Sequence, residues 1–311
     1  MKVLVTGGAG YIGTSLVPAL LNNNYKVTVL DNLMYNQNVF LEHYINLNFN
    51  FEYGDIRDEN KVKELTKDAD VVIHLASIVG APACKKNTTL ANEVNVDGTK
   101  NIVSTISENQ ILLFASTGSV YGKIEGMCDE DWEPNPLSLY GSTKLEGEKM
   151  ALDKSNSVAF RFATAYGLSP RLRLDLLPND FVLNAIRNKY LVIYDKKFRR
   201  TFIHVTDIVR SYLHMIEKID SVKGNAYNIG SEENNFTKEQ LVDKIHELID
   251  FQVYYADKGI PDPDQRDYEV SYKKLRETGF GLNINIDEGI KELVQGFKNL
   301  KLQSSFANIS L

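Results

Sequence analysis

Residues 2–13, KVLVTGGAGYIG, constrain the fold more than any other part of the chain. Val3-Leu4-Val5 reads as a short buried strand, and the residues from Tyr11 onward read as the start of a helix. Between them Gly7, Gly10 and Gly13 stand in G-x-x-G-x-x-G spacing, with Gly8 in addition. A tight turn needs residues that tolerate positive φ, and glycine does so without steric cost. A phosphate approaching the backbone needs the absence of a Cβ, and a helix N-terminus offers it free N–H groups and a positive dipole end. Such a unit requires a second strand ending in an acid about 20 residues on. Val27-Thr28-Val29-Leu30-Asp31 meets that requirement. A carboxylate there accepts from the adenosine ribose hydroxyls and repels a 2′-phosphate, so the pattern predicts a dinucleotide site that takes NAD over NADP.

The rest of the chain continues the alternation. Helical patterns over 14–24, 59–67 and about 90–108 separate apolar strand patterns at 49–53, 71–76, 111–115 and 158–162. The run Val71-Val72-Ile73-His74-Leu75-Ala76 is nearly all apolar, as a parallel strand covered on both faces should be. Strands and helices in this order predict an α/β fold with a Rossmann-type doubly wound parallel sheet. Past Gly167 the pattern becomes irregular: a loop over 168–173, a helix over 179–187, strands at 191–194 and 202–205, and a helix over 207–218. Thr237 and Gln240 form a capping box ahead of Leu241, Ile245, Leu248 and Ile249, and a last helix is expected over 287–298. Residues 1–167, with about 202–231, are therefore expected to form the NAD-binding domain. Residues of about 168–201 and 232–311 are expected to form a smaller mixed α/β lobe over the carboxyl edge of the sheet, where open α/β sheets bind ligands.

Composition excludes several classes. The chain of 311 residues is 43% hydrophobic and 24% charged, which supports a large core and argues against disorder. A net charge of −6 with scattered basic residues speaks against nucleic acid or an anionic membrane as partner. Cys84 and Cys128 have neither metal-ligand spacing nor the number for a disulfide framework, so no metal is expected. No apolar run reaches the length of a membrane span. The first residues enter a strand with no room for a signal peptide, so the expected location is the cytoplasm.

The chemistry-bearing stretch is Tyr140-Gly141-Ser142-Thr143-Lys144. Tyr140 and Lys144 are four residues apart and share a helix face. They follow a turn at Asn135-Pro136, and Ser116-Thr117 ends a buried strand upstream. A phenol with pKa near 10 is a poor base at neutral pH. A neighbouring ammonium and a positive nicotinamide ring favour the phenolate. With a Thr117 hydroxyl to hold a substrate alcohol, the set suits oxidation of a secondary alcohol by a general base beside a hydride acceptor.

With these motifs in hand, the chain resembles an extended short-chain dehydrogenase/reductase of the NAD-dependent epimerase/dehydratase family of nucleotide-sugar enzymes. Thr6-Gly7-Gly8-Ala9-Gly10-Tyr11-Ile12-Gly13 matches the family's nucleotide loop, Asp31-Asn32-Leu33 its ribose-binding turn and Asp55-Ile56 its adenine contact. Leu75-Ala76-Ser77 fits the loop beside the pyrophosphate and nicotinamide ribose, and Asn95 fits an asparagine that braces the active-site backbone. The resemblance implies cofactor contacts from Gly7, Gly10, Tyr11, Ile12, Gly13, Asp31, Asn32, Asp55, Ile56, Leu75, Ala76, Ser77 and Asn95, and also from Tyr140 and Lys144, which with Thr117 form a catalytic triad. It implies a nucleotide-diphosphate sugar as substrate, contacted by Thr117, Thr164, Asn179, Arg200, Arg266 and Asp267. It also implies a homodimer through the helices that bear Asn95 and Tyr140. Two arginines suit a diphosphate because the guanidinium fork pairs bidentately.

Departures narrow the reading. Where 4,6-dehydratases carry Asp-Glu after the strand-end threonine, this chain has Gly118 and Ser119, so dehydration is not expected. Thr164 stands where the family often has Asn. The stretch Leu168-Ser169-Pro170-Arg171-Leu172-Arg173-Leu174-Asp175-Leu176-Leu177, with Phe198-Arg199-Arg200, resembles a sub-branch that includes a bacterial GDP-heptose 4-dehydrogenase. Arg171, Arg173 and Arg199 read either as a solvated face or as ligands of a diphosphate or unusual sugar. The expected activity is NAD-dependent oxidation at C4 of a nucleotide sugar. Rotation of the ketone and its reduction on the other face makes this a 4-epimerase of a UDP- or GDP-sugar. Release of the ketone makes it a 4-dehydrogenase, and the reverse reaction a 4-keto sugar reductase. A non-catalytic NAD-binding regulator is the alternative from another class.

Overall fold

The computed structural model describes residues 1–124, 126–256, 267, 269–301 and 306–308. Seven strands make the main sheet: β1 (Lys2–Thr6), β2 (Lys26–Asp31), β3 (Phe49–Tyr53), β4 (Val71–His74), β5 (Ile111–Thr117), β6 (Ser157–Phe162) and β7 (Asn225–Ile229). Their order is β7-β6-β5-β4-β1-β2-β3 and every pairing is parallel. The chain runs outward from β1 to β3, then returns past β1 to start again at β4. That reversal leaves a crevice at the carboxyl ends of β1 and β4, the place where doubly wound sheets bind ligands.

Period-two alternation assigns the two faces. Val3 and Val5 join a core with the helices α1 (Gly13–Asn22) and α5 (Val205–Glu217). Leu4 joins one with α2 (Gly98–Thr105) and α3 (Leu139–Leu152) on the other face. A third core gathers Phe181 and Val182 of α4 (Leu177–Arg187), Leu293 and Phe297 of α6 (Ile286–Phe297), and Leu241 and Ile245 of the helix Lys238–His246. The Thr237/Gln240 capping box is present, and a second one, Asn285 with Glu288, opens α6. Among the described residues no helix is long and apolar enough to cross a membrane, and no group of three His, Cys, Asp or Glu could hold a metal.

Of the elements that depart from the sequence expectations, two concern the main sheet and the helix behind the site. Strand β7 is not foreseen because it carries Asn225 and Asn228; Asn228 is buried by accepting from the Tyr121 hydroxyl at 2.7 Å. The single helix expected over 90–108 is in three parts: Thr88–Asn92, a π-helical turn over Glu93–Asp97, and α2. Such π-turns often mark functional positions, and this one carries Asn95.

His74 is buried at the end of β4, with Nδ1 2.7 Å from Thr6 Oγ1 and Nε2 3.0 Å from Thr99 Oγ1. Burial, helped by the charge of Lys144, holds its pKa down at about 3. The unfolded chain therefore takes up a proton near the ordinary value of 6.5 that the folded chain refuses until about 3. Stability falls as pH drops through that window. We expect the urea midpoint to fall more steeply between pH 7.5 and 5 in the wild type than in His74→Gln, which lacks the titrating ring.

Candidate active site

One continuous cavity of about 300 Å³ runs along the carboxyl edge of the sheet and collects residues from both halves of the chain. Its floor is the glycine turn. Gly7 has φ +68°, and a Cβ there would lie 2.6 Å from the Ala76 backbone of the neighbouring loop. A Cβ on Gly13, the first residue of α1, would run into the Gly8 carbonyl. Glycine at these positions keeps the turn flat against the sheet and leaves Gly7, Gly10, Tyr11, Ile12 and Gly13 in the cavity wall.

At one end of the cavity lie Asp31, Asn32, Asp55 and Ile56. Asp31 is nearly buried and accepts from the Ala9 N–H at 3.0 Å and the Leu33 N–H at 2.8 Å. Burial pushes its pKa up, and those two donors with the charge of Arg171 oppose the rise. Asp55 accepts from Asn32 at 2.9 Å and pairs with Arg57, which also reaches Glu93 at 2.7 Å. Leu75, Ala76 and Ser77 line the middle of the cavity.

Thr117, Tyr140 and Lys144 also line the cavity, all three buried. The α3 helix that carries two of them begins with Ser138, whose hydroxyl accepts from the Gly141 N–H at 3.2 Å. Gly141 has no room for a Cβ against the Ser119 carbonyl at 2.7 Å, so α3 is locked to the end of β5 and Thr117. Thr117 Oγ1 accepts from the Ser119 N–H at 3.2 Å. Lys144 Nζ sits 4.3 Å above the Phe114 ring. Burial drags its pKa down to about 7, although Glu148 pulls the other way. The unfolded lysine holds its proton to its ordinary value of 10.5, so the buried ammonium costs stability at low pH and the cost fades as pH rises from about 7 to 10.5. Lys144→Met is expected to melt higher than the wild type at pH 6.5 without any ligand, with the gap narrowing toward pH 9.5; a thermal melt series reads it.

Two expected contacts lie elsewhere. Asn95 does not face the cavity: its amide oxygen accepts from the Ile78 N–H at 2.7 Å and its nitrogen donates to the Ile78 carbonyl and to Thr143, both at 3.0 Å. It braces the β4 loop against α3, the bracing role that the resemblance implies, and a direct side-chain contact with the cofactor does not fit this arrangement. Asn179 is fully buried, accepting from the Gly167 N–H at 3.1 Å and donating to the Arg173 carbonyl at 3.0 Å. Its side chain is occupied in shaping the loop 167–173, so a side-chain contact to a sugar-nucleotide diphosphate does not fit this structure.

Other expected positions fall as follows. Thr164 lines the cavity with its Oγ1 buried and without a hydrogen-bond partner among the described residues. Arg200 is buried and borders a small second pocket with Gly118. Asp267 is exposed and accepts from the Arg199 N–H at 3.0 Å. Arg266 lies outside the described residues. Arg199 is half-exposed and pairs with Glu269 at 3.0 Å.

Arg171 and Arg173, which the sequence leaves open between a solvated face and ligands of a diphosphate or sugar, are buried in the cavity wall. Arg173 pairs with Asp175 through bonds of 2.6 and 2.9 Å, and its charge is felt at Tyr140. Tyr11 explains how the two halves meet: its hydroxyl donates to the Gly167 carbonyl at 2.9 Å. Asn308 also reaches the cavity, and no local signal marks it.

The family model for the NAD dependent epimerase/dehydratase family matches residues 3–230. A putative UDP-glucose 4-epimerase of Methanocaldococcus jannaschii is 31% identical over 96% of this chain and 98% of the relative. A UDP-N-acetyl-alpha-D-glucosaminuronate decarboxylase of Bacillus cytotoxicus is 29% identical over 96% and 98%. The crystal structure of UDP-glucuronic acid 4-epimerase from Bacillus cereus, in complex with UDP-glucuronic acid and NAD, is 26% identical with a TM-score of 0.84, covering 97% of this chain and 100% of that one.

Proposed function

The chain belongs to the NAD-dependent epimerase/dehydratase family, and from that premise we propose that it oxidises a nucleotide-diphosphate sugar at C4, as a 4-epimerase of a UDP- or GDP-sugar. The observation that carries the proposal is the convergence of Thr117, Tyr140 and Lys144 at one cavity whose floor is the glycine turn. The residues fit a dinucleotide: the turn is a cradle that Cβ atoms would fill, α1 points its N-terminus into it, and Asp31 stands where a ribose diol would donate. Residues 1–167 and about 202–231 supply the main cofactor-binding surface in this reading, and the sugar nucleotide extends over the remaining lobe, which also reaches the cofactor cavity through Arg171 and Asn308.

NAD, when bound, supplies the hydride acceptor. Tyr140 takes the proton of the C4 hydroxyl and later returns one to C4 oxygen, while Thr117 holds that hydroxyl in line. Lys144 stands one helical turn along α3 from Tyr140, and Arg173 acts electrostatically on the phenol. The described carboxylates of the cavity wall, Asp31 and Asp55, lie at the adenine end; beside Thr117 stand Gly118 and Ser119. In this reading one proton moves through Tyr140, and among the described residues the wall at this end shows no carboxylate pair to eliminate water. The 4-keto sugar then has two fates. Rotation within the cavity gives the 4-epimer; release gives a net 4-dehydrogenase.

The test is a panel of UDP-, GDP-, dTDP- and CDP-sugars offered to protein that carries NAD, with bound NADH followed by near-ultraviolet absorbance and the products identified. Turnover of one sugar class with a 4-epimer as product supports the reading. Accumulated NADH with a released ketone favours the dehydrogenase instead. Absence of any redox change in NAD-loaded protein contradicts both and leaves a regulator.

A further inference from the structure

Arg171 is 2% exposed, lines the cavity, and makes no ion pair among the described residues. Asp175, the nearby carboxylate, is taken by both nitrogens of the Arg173 fork. The Arg171 guanidinium lies 4.1 Å over the Tyr35 ring, and its Nη2 donates to Asn308 Oδ1 at 2.7 Å and to the Ala307 carbonyl at 3.4 Å. Its Nε has no hydrogen-bond partner among the described residues. A buried cation without a counter-charge is expensive, and such a group is normally paired. Burial and the neighbouring Arg173 lower its pKa to about 10, still far above neutrality, so the charge persists.

The surroundings say which anion would pair with it. The loop that carries Arg171 is stapled to the first turn of α1. Ser169 Oγ donates to the Tyr11 carbonyl at 2.6 Å and lies 2.7 Å from Thr14 Oγ1, and the Arg171 N–H reaches Thr14 Oγ1 at 3.4 Å. The guanidinium also acts electrostatically on Asp31. It therefore stands between the N-terminus of α1 and the ribose-side carboxylate, where the diphosphate of a dinucleotide would cross. Residues 306–308 hold it there. The Leu174 N–H donates to the Phe306 carbonyl at 2.8 Å, and Asn308 Nδ2 donates to the Val79 carbonyl at 3.4 Å, tying the loop to the opposite wall.

We propose that Arg171 is the counter-cation of the dinucleotide diphosphate at the N-terminus of α1, and that Asn308 is the positioning residue that holds it in register. The inference rests on the NAD reading above. The fork of Arg171 donates through Nε and its free Nη positions to phosphate oxygens, a charge-assisted geometry that a lysine does not reproduce. The diphosphate of the sugar nucleotide is the other possible source of the same chemistry, and the test separates them.

The experiment titrates full-length, dinucleotide-stripped protein with NAD, ADP, adenosine and UDP, comparing wild type with Arg171→Gln and Asn308→Ala. Arg171→Gln is expected to weaken NAD and ADP by about 10- to 100-fold, the size of a lost charge-assisted bond. Adenosine and UDP should be unaffected, and the melting temperature without ligand should be no lower than that of the wild type, which a merely structural arginine would not allow. Asn308→Ala should weaken NAD by about 3- to 10-fold and leave adenosine unchanged. Unchanged NAD and ADP affinity in Arg171→Gln overturns the inference, and loss of UDP binding in its place moves the site to the sugar nucleotide. If Arg171→Gln does not fold, unaltered NAD binding by Asn308→Ala overturns it alone. Failure of the wild type to bind NAD overturns the NAD reading itself.

Discussion

Replacing Tyr140 with Phe is expected to cut nucleotide-sugar turnover by about 10²- to 10⁴-fold, the range for removal of a positioned general base. The substitution deletes one oxygen and keeps the ring that packs in the core shared by α2 and α3. The elements that position it are independent of the hydroxyl: Ser138 caps α3, and Gly141 fits against the Ser119 backbone. Sugar-nucleotide and NAD affinities should therefore change by no more than a few-fold, and the melting temperature should hold. Steady-state kinetics beside binding titrations check this split. A variant that kept full turnover would remove Tyr140 from the chemistry, and one that lost binding in step with turnover would make it a packing residue.

The second large effect is expected from Gly13→Ala. The added Cβ meets the carbonyl and Cα of Gly8, and turn backbone cannot rotate away as a side-chain end can. Overpacking of this kind costs about 1–3 kcal/mol, and the displacement falls on the turn that forms the cavity floor. Dinucleotide affinity should fall by at least about 100-fold, worth about 2.7 kcal/mol. In a thermal shift assay the wild type gains stability with NAD as binding linkage requires, and Gly13→Ala should show almost none of that gain. Gly281→Ala is the control: nothing lies within 4 Å of a Cβ there, and both melting temperature and NAD shift should match the wild type.

The legible parts of the molecule were those set by local chemistry. The glycine spacing, the acid at Asp31 and the alternation of strands and helices each depend on neighbours in sequence, and β1 through β6 with the reversal between β1 and β4 follow from them. The Tyr140/Lys144 pair was legible because a helix converts spacing into a shared face. The remaining features depend on distant contacts. Asn95 acts from a π-helical turn that breaks the helical period, which no repeat of apolar residues announces. Asn179 serves the backbone of Gly167 and Arg173, an arrangement visible only once the loop is folded. Arg171 and Arg173 have the composition of a solvated face, and their burial depends on Asp175, on Tyr35 and on Asn308 from the far end of the sequence. The edge strand β7 is likewise hidden by its asparagines: Asn225 is exposed, and Asn228 is buried only because it accepts from Tyr121 and donates to the Ser271 carbonyl, both far away in sequence.

Oxidation at C4 with return of the hydride to the opposite face is tested most directly by a sugar nucleotide of the active class carrying deuterium at C4. The expected product is a 4-epimer that keeps the deuterium at C4, formed at a rate lowered by the isotope. Loss of the label from C4 with release of a ketone, or an epimer formed with exchange of the label for solvent hydrogen, would contradict it.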